Sequence, residues 1–160
     1  MGLFDFLRRK RLPEFSFELQ TLFADSRLLA IRLQNDYISP EHLMLAMLEL
    51  PHGSVSGLLD TILVSPALLR HQLEQVMFGH RAAPDEPLPT GSIAITTELE
   101  ACLHSAQGMA AEAQVPEVAP EHVLLPILFR AEATGQTGYA EIGLTVAVLA
   151  ARIGVPAPGR

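Results

Sequence analysis

Residues 39–48 read SPEHLMLAML, and residues 119–128 repeat the pattern as APEHVLLPIL. In the first copy Ser39 is a candidate N-cap, able to accept the first free backbone N–H groups of a helix. Pro40 suits the first helical position, where no donor is needed and its fixed φ already fits. Glu41 falls in the first turn, where a carboxylate meets the positive end of the helix dipole. The following LMLAML leaves little of the helix for water, the pattern of a helix buried in the middle of a domain. Glu41 and Glu121 stand 80 residues apart. The same offset aligns Ser16 with Thr96, Glu18 with Glu98, Ala30 with Ala110, Gln34 with Gln114, Ser65 with Thr145 and Leu69 with Leu149, with no gap between 15–73 and 95–153. A repeat of this length is one supersecondary unit, and two copies imply a pseudo-symmetric pair of small bundles rather than a solenoid.

Working outward, Phe15, Leu19, Leu22, Phe23, Ser26, Leu29, Ala30 and Leu33 fall on one helical face, which predicts a helix over 15–35 with Ser16 able to cap it. Tyr37 and Ile38 form a short apolar connector into the Ser39 helix. Pro51, His52 and Gly53 break the chain, a third helix is expected over 54–63, and Ser65-Pro66 starts a fourth that reaches about Phe78. Three prolines and two glycines in 79–92 cannot continue a helix and predict a linker. In the second copy Ile95, Leu99, Cys102, Leu103, Ala106, Met109, Ala110 and Ala113 occupy the matching face. Pro126 lies within the second PEH helix, where it is expected to kink it or shift its hydrogen bonding. The small-residue stretch 135–143 predicts a short third helix, and Thr145 caps a last one to about Ile153. The expected organisation is an arm over 1–14, repeat one over 15–79, a linker over 80–92, repeat two over 93–153 and a tail over 154–160.

A chain of 160 residues with 49% hydrophobic content can bury a full core in one domain. A net charge of −7 argues against nucleic acid as a partner, since that needs a basic surface. One cysteine excludes an internal disulfide and fits a reducing compartment. No apolar run approaches the ~20 residues of a membrane span, and Arg8 to Arg11 follow the first residues too soon for a signal peptide. A cytoplasmic protein is expected. The arm carries a charge of about +3 and the body −10. Such a basic, apolar arm could touch an anionic membrane, although one short segment binds only marginally.

Three sets of residues are candidates for chemistry. Cys102 and His104 hold a thiol and a base, but Cys102 lies in the core stripe and i, i+2 residues do not face each other on a helix, so no catalytic pair is expected. His42 and His122 lack the H-E-x-x-H ligand spacing, and each is expected to bond a neighbouring backbone or hydroxyl group rather than a metal. Ser16 with Glu41, and Thr96 with Glu121, place a hydroxyl at one helix start and a carboxylate at another. Should those starts lie together, free N–H groups could hold an anion and the carboxylate a cation. Helix capping alone also explains these residue types. No cofactor is expected.

Two tandem four-helix units, each with a hydroxyl-bearing helix start 25 residues before the PEH glutamate, resemble the Clp N-terminal domain that fronts ClpA-, ClpB- and ClpC-type AAA+ unfoldases. YISPEHLMLAML at 37–48 is the most specific part, and LLDTILVSPALLRHQLEQVMFG at 58–79 fits the third and fourth helices. The resemblance implies an all-α, pseudo-twofold double bundle that binds proteins. Its implied partners are Clp ATPase or protease subunits, adaptors and substrates. It implies no enzyme: no G-x-x-x-x-G-K-[ST] phosphate loop occurs in the 160 residues. The chain reads as an adaptor or regulator of Clp proteolysis, with a detached unfoldase N-domain or a peripheral membrane scaffold as alternatives. The arm favours a stand-alone protein. In ClpC-type relatives the positions matching Ser16, Glu41, Thr96 and Glu121 form two sites for phosphorylated arginine. In place of the polar charged residues of relatives, Phe17 and Thr97 follow the two hydroxyls here, and Ala119 replaces the capping serine.

Overall fold

The structure, a computed structural model, describes residues 12–50, 52–78 and 93–155. The first copy contains β1 (Glu14–Phe15), α1 (Phe17–Arg32), β2 (Tyr37–Ile38), α2 (Pro40–Glu49), α3 (Ser54–Thr61) and α4 (Pro66–Phe78). The second repeats the order with β3 (Ala94–Ile95), α5 (Thr97–Glu112), β4 (Glu117–Val118), α6 (Pro120–Ala133), α7 (Gly138–Glu141) and α8 (Val146–Ile153). The fold is all-α, with two four-helix repeats in a pseudo-twofold double bundle. The predicted linker lies outside the described residues, as do 1–11 of the arm and 156–160 of the tail.

Each long helix starts and stops by local chemistry that both copies share. Ser16 Oγ accepts the Leu19 N–H at 3.1 Å and Thr96 Oγ1 accepts the Leu99 N–H at 3.2 Å, so both N-caps are made as expected. At the other end Gln34 and Gln114 adopt φ of 59° and 56°. That left-handed step lets Asn35 N–H reach Ala30 O at 2.8 Å and Val115 N–H reach Ala110 O at 2.9 Å, which closes the last turn. The helices therefore stop at Arg32 and Glu112, three residues before the predicted end of the first.

The four two-residue strands decide how the copies meet. They pair in parallel between copies: Glu14 opposite Glu117 and Phe15 opposite Val118, then Tyr37 opposite Ala94 and Ile38 opposite Ile95. Every strand runs directly into a helix, so each ladder sets two helix starts from different copies side by side. Ile95, expected on the core face, is instead 40% exposed in β3, while Ile38 opposite it is buried.

One hydrophobic cluster runs through both copies, with Leu19, Leu22, Leu43 and Met47 of the first joined to Leu99, Leu124, Leu125 and Leu128 of the second. α1 packs chiefly on α2 and α5 on α6, while α3 packs across the boundary on α6. Pro126 is buried within α6, which continues unbroken to Ala133, four residues longer than α2. The third helix of the second copy is short, only four residues, as the small-residue stretch predicts.

Candidate functional site

The parallel ladders determine which of the four candidate residues become neighbours. Ser16 N–H donates to Val118 O at 3.0 Å, and Thr96 N–H donates to Ile38 O at 3.0 Å. Ser16 is thus set beside the strand that leads into Glu121, and Thr96 beside the strand that leads into Glu41. Sequence reading paired Ser16 with Glu41 and Thr96 with Glu121, within each copy. The ladders cross that pairing, because a strand two residues long carries its helix start over to the other repeat.

At the PEH helices the histidine, not the serine, makes the cap. His42 is buried, and its Nδ1 accepts the Ser39 backbone N–H at 3.0 Å and lies 2.8 Å from Ser39 Oγ. With Nδ1 accepting, Nε2 carries the proton and donates to Asn35 Oδ1 at 2.9 Å. Ser39 Oγ caps no backbone N–H, so the predicted serine cap is replaced by this reciprocal arrangement. His122 Nδ1 likewise accepts the Ala119 N–H at 2.9 Å, although alanine has no hydroxyl to add. Burial pushes His42 down to about 4, and it lowers His122 as well, against the opposing charge of Glu121. Both rings are neutral hydrogen-bonding parts of helix starts, each bonded to a neighbouring backbone N–H as the sequence predicts. No group of three His, Cys, Asp or Glu side chains among the described residues is placed to hold a metal.

Two clefts open at the crossed junctions. The Glu121 cleft, about 490 Å³, is walled by Ser54 and Thr61 of α3, His122 of α6 and Arg152 of α8. Glu18, in the first turn of α1, reaches its edge: Glu18 Oε1 accepts the Ser54 N–H at 2.8 Å and the Ser54 hydroxyl at 3.1 Å. That carboxylate caps α3, whose own N-cap is Gly53 and has no side chain to offer. Glu121 Oε2 is shut off from solvent and has no hydrogen-bond partner among the described residues. The Glu41 cleft is smaller, about 160 Å³, and gathers Glu98, Cys102, Arg130 and Tyr139 around the carboxylate. Burial raises the Tyr139 hydroxyl, and the Glu41 charge adds to the effect. The cross-copy members Glu18, Ser54 and Arg130 were missed in the sequence, since only the ladders bring them to the two glutamates, and Arg152 was missed because it reaches Glu121 from a later helix of the same copy.

Cys102 is fully buried and its thiol is pushed up to about 11 by burial, the state of an inert core residue. His104 lies on the surface, 3.9 Å from Glu100. A third depression, about 400 Å³, runs between α1, α2 and α4 over Leu33, Leu45 and Met77. Glu49 lies at its rim, 3.2 Å from Arg32 and 3.3 Å from Arg70. No helix among the described residues is long and apolar enough to cross a membrane.

Comparison with known proteins agrees with this architecture. The description of the Clp repeat (R) N-terminal domain family matches residues 14–141. A chain from structural work on a malarial protein secretion system superposes with a TM-score of 0.76 at 20% identity, covering 88% of this chain and 92% of that one. The N-terminal domain of Hsp104 from Candida albicans gives 0.70 at 16% identity, covering 87% and 88%. A ClpV N-domain in complex with a VipB peptide gives 0.66 at 17% identity, covering 88% of each chain. At such identities the solved structures establish the shared fold.

Proposed function

This chain belongs to the Clp repeat N-terminal domain family, and from that premise we propose that it is a non-catalytic protein-interaction module, an adaptor or regulator of Clp ATP-dependent proteolysis in the cytoplasm. Its partners are Clp ATPase or protease subunits and the adaptors or substrates they handle. The observation that carries the reading is the pair of crossed junctions, each with a half-buried glutamate beside a hydroxyl-capped helix start from the other copy. Converging helix starts suit an anion and a carboxylate suits a guanidinium. The ligand proposed for Ser16, Glu41, Thr96 and Glu121 is therefore a phosphorylated arginine side chain displayed on a protein. The peptide held by a ClpV N-domain of the same fold supports a protein-binding role.

The test is a reconstituted degradation assay with a Clp ATPase, its protease and an arginine-phosphorylated substrate. Adding the purified chain is expected to change the rate of substrate loss, while the chain alone neither binds nor hydrolyses ATP. A degradation rate independent of the added chain would contradict the proposal.

A further inference from the structure

The two clefts are related by the repeat, yet their walls differ in chemistry. In the Glu121 cleft Arg152 Nε donates to Thr61 Oγ1 at 3.1 Å, which holds the guanidinium against the wall and leaves its terminal nitrogens without a partner among the described residues. The same cleft is lined by the Glu121 carboxylate, whose solvent-shielded Oε2 has no partner among the described residues. The nearby Glu18 carboxylate is engaged in capping α3, and burial holds His122 toward its neutral form. One open cation and one orphaned carboxylate oxygen thus share a cavity of about 490 Å³.

The 80-residue offset places Gln72 where the other copy has Arg152, and Glu141 where it has Thr61. Gln72 lies with its amide against Gly138, and Glu141 Oε1 accepts the Thr137 hydroxyl at 3.3 Å, so neither supplies a free cation. Thr134 replaces Ser54 and sits at the end of α6, which leaves Glu98 without the capping duty of Glu18. The Glu41 cleft therefore sets two carboxylates, Glu41 and Glu98, against the exposed Arg130 in about 160 Å³. That is below the roughly 300–1,000 Å³ of ordinary ligand pockets, and Glu98 lines this cleft itself, where its charge repels a phosphate, whereas Glu18 only reaches the edge of the Glu121 cleft.

We infer that the Glu121 cleft alone takes a ligand bearing both a guanidinium and an anionic group, with Arg152 as the residue that selects for the anion. Glu121 meets the guanidinium, Arg152 meets the phosphoryl oxygens, and the Glu41 cleft stays empty of it. The inference rests on the reading that the chain binds phosphorylated arginine, and it narrows that reading to one site per chain.

Calorimetric titration of the intact chain with phosphoarginine tests it. The expected result is one site per chain. Arg152→Gln, at an exposed position, should weaken binding about tenfold or more, the worth of a lost charge-assisted hydrogen bond, while Arg130→Gln, which removes the exposed cation of the Glu41 cleft, should leave it unchanged. Two equal sites, or a loss with Arg130→Gln but none with Arg152→Gln, would overturn the inference and leave the broader reading standing. Absence of any binding by the unaltered chain would overturn both.

Discussion

The Ser16 backbone N–H donates to the Val118 carbonyl at 3.0 Å, and with the ladder of Glu14–Phe15 on Glu117–Val118 this sets the first helix start of one repeat beside the PEH helix start of the other. Its counterpart, Thr96 to Ile38, does the same in the opposite sense. With α3 also packed on α6 and one core shared by both copies, neither repeat owns a complete set of contacts. Urea unfolding followed by far-UV and near-UV circular dichroism should give coincident transitions. Two separated transitions, with half the helical signal surviving the first, would show that the repeats are independent.

The His42 network makes stability depend on pH. The folded-state value is lowered from 6.5 to about 4 by burial, so the unfolded chain binds the extra proton between those values. Stability contributed by neutral His42 is present above pH 6.5, falls as pH drops toward 4, and changes no further below. The size of the loss is on the order of 3 kcal/mol. Urea midpoints measured from pH 7 to 4 should show the decline, and His42→Gln, which keeps an acceptor without the titration, should flatten it. An unchanged decline in that variant would assign it to other groups.

Leu45 and Leu125 occupy equivalent positions and are 5% and 0% exposed. Leu45→Ala should lower stability by about 2–5 kcal/mol, the sum of lost burial and the cavity left behind. A change below about 1 kcal/mol in urea unfolding would mean that α2 is not a core helix.

Leu63 combines a positive φ of 60° with 91% exposure, while Gly143 holds the same place in the second copy at φ 88°. A left-handed conformation costs a β-carbon-bearing residue about 1–2 kcal/mol, and glycine's extra unfolded-state entropy returns part of that gain. Leu63→Gly should therefore raise stability by about 0.5–1 kcal/mol, read as a higher melting temperature. Destabilisation would show that the exposed leucine contributes a contact.

The helices and their order were legible because the PEH motif, the hydroxyl caps and the 80-residue offset are all written in residue types. The faces were legible too: Leu19, Leu22, Ser26, Leu29 and Ala30 are buried as their spacing predicts. What could not be read was the crossing. Glu14–Phe15 and Glu117–Val118 are too short to alternate, so nothing local announces that they pair. Without that pairing, Ser16 and Glu121 have no visible reason to be neighbours. The capping role of His42 was half legible: a bond to backbone or hydroxyl was foreseen, but Asn35 reaches its ring only through the turn at Gln34. Arg152 was missed because Thr61 and Glu121 come to it from other elements.

Backbone amide NMR, recorded while an arginine-phosphorylated peptide is titrated into the intact chain, tests the proposed binding role most directly. The shifts should concentrate on Ser16, Phe17, Ser54, Glu121 and His122, residues from both repeats that meet only at the crossed junction. Shifts confined to Arg32, Leu33, Arg70 and Met77 around the Glu49 groove, or none at all, would contradict it.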